Sequence, residues 1–104
     1  MVEAIERIHK VLGDASLESF EADWERQWLV QRGVEIVSEA SRHLPAELKA
    51  RHPLIPWQKV AGIGNVLRHD YGNVAAAVLW KLARSDLGAL ELACRVELAA
   101  LLRE

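Results

Sequence analysis

Apolar residues recur at spacings of three and four along nearly all of this 104-residue chain, and no alternating run survives beyond a few positions. That rhythm selects helices and excludes strands. Ile5, Ile8, Val11 and Leu12 make one stripe of a helix over about residues 2–12, ended by Gly13. Ser16, followed by Glu18 and Ser19, offers a helix start with Leu17 and Phe20 as its apolar anchor. A long helix is expected from about Asp23 to His43, with Trp24, Trp28, Val34, Ile36, Val37 and Ala40 at its apolar positions, and Leu44-Pro45 stops it. Residues 46–52 give one further turn. His52-Pro53-Leu54-Ile55-Pro56 is the chain's Pro-rich break, and Pro56-Trp57 opens the next helix, which runs to about Tyr71-Gly72. Asn73 is expected to cap a helix over 74–84, and Asp86 a last one over 87–102. Short connections favour antiparallel neighbours, so the expected fold is an all-α bundle of four to five helices.

The length suits a single domain, residues 1–104, with a real core. Half the residues are hydrophobic (51%), which is the composition of a globular protein. A net charge of −2 gives no broad basic field, so any RNA contact has to come from a local site. Cys94 is the single cysteine and reads as a buried thiol in a reducing compartment. The polar N-terminus has no signal-like apolar core, and the longest apolar runs are too short to span a bilayer. A cytoplasmic protein with no membrane partner is the expectation. Four tryptophans (Trp24, Trp28, Trp57 and Trp80) are many for this length, and most are expected in core or interface positions.

Polar chemistry is concentrated in Asn65-Val66-Leu67-Arg68-His69-Asp70-Tyr71. Within seven positions of one helix stand an amide, a guanidinium, an imidazole, a carboxylate and a phenol. Asn65 and His69 are four apart and share a face, with Arg68 beside His69 and Tyr71 a turn beyond Arg68. By themselves these residues also allow plain readings: His69 as a surface or hydrogen-bonded group, Arg68 as an ion-pair partner of Asp70 or Glu39, Tyr71 as a packed ring. His9, His43, His52 and Cys94 show no metal-ligand spacing, so no metal and no cofactor are expected. Gly62-Ile63-Gly64 lies in a helical pattern rather than after a strand, and so is not a phosphate loop.

In order along the chain, Gln31 to Ser41, Pro53-Leu54-Ile55-Pro56-Trp57, Asn65 to Tyr71, Val78-Leu79-Trp80 and Asp86-Leu87 resemble the HepT-like toxins of the HEPN superfamily. The resemblance implies a metal-independent endoribonuclease toxin that forms a homodimer, with the two signature helices facing each other across the site. It also implies a nucleotidyltransferase partner acting as antitoxin, with Tyr71 the adenylylation candidate. The family's signature arginine, which directly precedes the asparagine, falls on Gly64 here.

Metal-free RNA cleavage needs a base for the 2′-hydroxyl, an acid for the leaving oxygen and a cation on the phosphorane. His69 suits the acid and base roles, Asn65 can orient the imidazole or donate to phosphate, and Arg68 is the nearest guanidinium. In a two-fold dimer the partner helix would bring a second Arg68 and a second His69. Gly64 leaves two readings open: a nuclease using His69, Arg68 and Asn65, or a catalytically weak or inactive module that binds, or is adenylylated by, its nucleotidyltransferase.

Overall fold

The computed structural model describes the backbone of residues 1–69 and 76–103, and the side chains of 1–67 and 76–102. Among these residues the chain is helical throughout, without a strand. The helices are α1 (Val2–Leu12), α2 (Leu17–Glu21), α3 (Trp24–Arg42), α4 (Ala46–Ala50), α5 (Trp57–His69), α6 (Ala76–Lys81) and α7 (Leu87–Arg103). The all-α expectation therefore holds. So do the starts at Ser16, whose Oγ accepts from the Ser19 amide, and at Asp23, whose carboxylate accepts from the Arg26 amide. The helix expected to open at Pro56-Trp57 begins at Trp57. Its expected end near Tyr71-Gly72 and the cap at Asn73 lie outside the described residues.

Asp86 is not a cap. Residues Leu82–Asp86 form a π-helical segment that carries α6 straight into α7, so no free helix N-terminus exists for Asp86 to satisfy. The reason lies in the core. Leu79, Ala83, Leu87, Leu90 and Ala93 are all buried at spacings of four, four, three and three, and one wide turn keeps that stripe facing inward.

Ile5, Ile8 and Leu12 of α1, Phe20 of α2, Val30, Val34 and Val37 of α3 and Leu67 of α5 complete the core. The buried stripe of α3 runs Val30, Val34, Val37, Ser38 and Ser41, which displaces Trp24, Trp28 and Ile36 to the surface. Trp24 and Trp28 are more than half exposed (58% and 56%) and meet edge to face, with ring centroids 4.8 Å apart. Trp57 and Trp80 follow the expectation of core packing. Trp57 donates its ring N–H to the carbonyls of Lys49 and His52, and Trp80 to the carbonyl of Ala15, so neither buries an unpaired donor.

Two glycines are dictated by geometry. Gly13 ends α1 at φ +53°, a region that side chains other than glycine rarely enter. Gly33 faces α1 at a point where a Cβ would lie 2.5 Å from Cγ1 of Ile8. Helices α1 and α7 run antiparallel, joined by Glu6–Arg95 and His9–Glu91 ion pairs. Farther along α7, Glu97 receives Arg51 and, at 2.8 Å, His52, which ties the segment before α5 to the last helix. Those two partners hold the Glu97 carboxyl down at about 2. Cys94 is half-buried rather than fully buried, 3.3 Å from the sulfur of Met1, and burial pushes its thiol pKa up, away from the reactive thiolate. No described helix is long and apolar enough to cross a membrane.

Two predictions come from this packing. Gly33→Ala should lower stability by about 1–3 kcal/mol through overpacking, although alanine is the better helix former. An unchanged or raised thermal midpoint would show that α1 does not press on α3 at Gly33. The second concerns pH. Because the folded Glu97 carboxyl titrates near 2 rather than 4.5, its contribution is complete above pH 4.5 and disappears as the pH falls toward 2. The wild-type chain should therefore lose stability more steeply over that interval than Glu97→Gln, as measured by urea unfolding; parallel pH curves would contradict it.

Candidate functional site

The polar cluster sits on α5, and what fixes α5 is its seam with α3. Ser38, buried on α3, accepts the backbone N–H of Gly64 at 3.1 Å and donates its own hydroxyl hydrogen to the carbonyl of Ala61 at 2.9 Å. The neighbouring Ser41 turns its hydroxyl onto the Ser38 carbonyl at 2.6 Å. A serine here is thus both donor and acceptor between two helices, a dual role that a hydroxyl fills and a methyl group cannot.

One turn farther along α3, Arg42 reaches the same Ala61 carbonyl through Nη2 at 2.8 Å and Nε at 3.2 Å. Its remaining arm, Nη1, lies 3.4 Å from Glu39, a carboxylate that His43 approaches at 3.3 Å. Ser38 thus bonds at Gly64 and Ala61 while Arg42 bonds at Ala61 alone. Higher residues on α3 therefore meet lower ones on α5, and the two helices are antiparallel.

This register decides where the signature residues stand. Gly64 is buried in the seam, and Asn65, rotated about 100° from it, is exposed on the outer surface of α5. Ala61, Asn65 and His69 recur every four residues on one stripe of the helix. The backbone therefore places Asn65 and His69 on a common face, as the spacing predicts. Arg68 and His69 are the last two residues of α5, and Tyr71 lies outside the described residues.

Sequence reasoning did not single out Ser38 or Arg42. Both lie within or next to the Gln31 to Ser41 stretch, but their roles depend on the α3–α5 register, which no local pattern encodes. A hollow of about 580 Å³ lies elsewhere. Val37, Ile55, Val60, Ile63, Leu82 and Leu87 give it an apolar wall, with Lys59 and Asp86 as its charged lining residues. Among the described residues, no three His, Cys, Asp or Glu side chains gather into a set that could hold a metal ion.

The family model described as "Ribonuclease HepT-like" matches residues 1–96, so the chain belongs to the HepT-like ribonuclease family. Among its relatives is the "Probable ribonuclease HepT" of Thermococcus cleftensis, 37% identical over 88% of this chain and 83% of that protein. Two proteins named "Putative RNase", from Methanocaldococcus jannaschii and Caldanaerobacter subterraneus, are each 33% identical over 59% and 58% of this chain. The matched part spans 56% and 54% of those two relatives. No solved structure matches the chain.

The seam generates its own test. Ser38→Ala removes the bond to the Gly64 amide and one of the bonds to the Ala61 carbonyl, which keeps its Arg42 donors, and should cost about 0.5–1.5 kcal/mol. A urea midpoint equal to that of the wild type would remove Ser38 as the clamp.

Proposed function

We propose that this chain is a metal-independent endoribonuclease, the toxin of a toxin–antitoxin pair whose antitoxin is a nucleotidyltransferase. The observation that carries the reading is membership of the HepT-like ribonuclease family over residues 1–96. The polar stripe on α5 gives that membership its chemistry. In this reading His69 takes the proton of the RNA 2′-hydroxyl, whose oxygen attacks the adjacent phosphorus. The P–O5′ bond breaks, and a second imidazolium returns a proton to O5′. One helix carries one such histidine, so the site is assembled between two copies of the chain, with α5 facing α5. Asn65 orients the imidazole or donates to the phosphate, and Arg68 adds positive charge from the partner helix. Tyr71 is the residue that the nucleotidyltransferase would adenylylate.

Gly64 favours a second reading. The family arginine is absent, and its position is occupied by a glycine buried against Ser38. A chain that lost its phosphate cation there would be an interaction module that binds the nucleotidyltransferase without cutting RNA.

RNA cleavage with EDTA present separates the two. The purified chain should cleave, and His69→Ala should be slower by at least about 10²-fold, the scale of losing a general acid–base group. Equal cleavage by both proteins would remove His69 from the mechanism, and two inert proteins would leave the interaction module standing.

A further inference from the structure

The chain lacks an arginine at position 64, yet the structure sets a guanidinium beside that position from the other side of the seam. We propose that Arg42 of α3 is the group that binds the scissile phosphate of an RNA substrate and stabilises its developing charge. The inference rests on the ribonuclease reading above and names the cation that reading requires.

Three observations carry it. The first is position. Gly64 N–H, Ser38 Oγ, the Ala61 carbonyl and Arg42 form one unbroken hydrogen-bonded chain across the α3–α5 seam. Arg42 therefore meets α5 at Ala61, one helical turn before position 64 and at the head of the stripe that continues through Asn65 and His69.

The second is available charge. Ala61 offers Arg42 a neutral carbonyl, which orients the fork without cancelling its charge. The carboxylate that approaches Nη1 is the exposed Glu39, at the long distance of 3.4 Å and shared with His43. The Arg42 side chain is 39% exposed, so a phosphate can reach its outer edge and displace that weak contact.

The third is that other described arginines are committed elsewhere. Arg84 donates to the Ala15 carbonyl and stacks on Trp80, Arg51 is held by Glu97, and Arg95 by Glu6 and Glu91. Arg42 is the one that grips the α5 backbone. Two bonds from Nε and Nη2 to one helical carbonyl fix its plane before substrate arrives, as preorganised electrostatic stabilisation requires.

The test is cleavage of single-stranded RNA in EDTA by the wild-type chain, Arg42→Ala and Arg42→Lys, with and without added guanidinium, alongside thermal midpoints. With a cleaving wild type, Arg42→Ala should lose about 10²–10³-fold in kcat, as for removal of a transition-state donor. Added guanidinium should restore part of that loss, and Arg42→Lys should retain more activity than Arg42→Ala. Activity of Arg42→Ala within threefold of wild type overturns the proposal. So does a loss that guanidinium leaves untouched, which would make Arg42 a structural tie between α3 and α5. A wild-type chain that leaves RNA intact under every condition overturns the ribonuclease reading itself, and this role with it.

Discussion

The hydroxyl of Ser38 is the contact on which the rest of this structure depends. A buried oxygen that accepts from Gly64 and donates to Ala61 fixes both the rotation and the axial register of α5 against α3. A slip of α5 by one residue would rotate it by about 100°, burying Asn65 and leaving the Ser38 hydroxyl short of partners in an apolar seam. Such a slip is costly because the helices on either side are already fitted. Gly33 admits Ile8 from α1, while Leu67 of α5 is buried in the common core. Hydrophobic packing makes the bundle compact, and the polar contacts of Ser38 and Arg42 with α5 give it a register.

That register accounts for the asymmetry of the signature helix. Position 64 faces the seam and carries no side chain, whereas Asn65 faces outward on the stripe shared with His69. A glycine inside a helix costs about 1 kcal/mol relative to alanine. Here its backbone N–H donates to Ser38 across the seam. Position 64, where the resembled family carries an arginine, is in this chain a buried seam position whose amide bonds to Ser38.

Much of the fold was legible because periodicity and caps act locally. The stripe of α1, the helix starts at Ser16 and near Asp23 and the opening at Trp57 each depend on residues within a turn or two. The departures have tertiary causes. Helix α3 carries two apolar stripes, and periodicity alone cannot say which is inside; the tryptophan stripe is larger, but Val30, Val34 and Val37 fit against α1. Ser85-Asp86 has the composition of a helix start, yet the buried run from Leu79 to Ala93 carries the helix through it as a π segment. For the site, spacing alone puts Asn65 and His69 on one face. The part played by Ser38 and Arg42 was invisible because it depends on contacts between residues 19 to 26 positions apart in two different helices.

Product ends report most directly on the proposed RNA cleavage by 2′-hydroxyl attack without a metal. RNA digested by the purified chain in EDTA should carry 2′,3′-cyclic phosphates on the upstream fragments and 5′-hydroxyls on the downstream ones. Fragments bearing 5′-phosphates, or cleavage that appears only when a divalent cation is added, would contradict it.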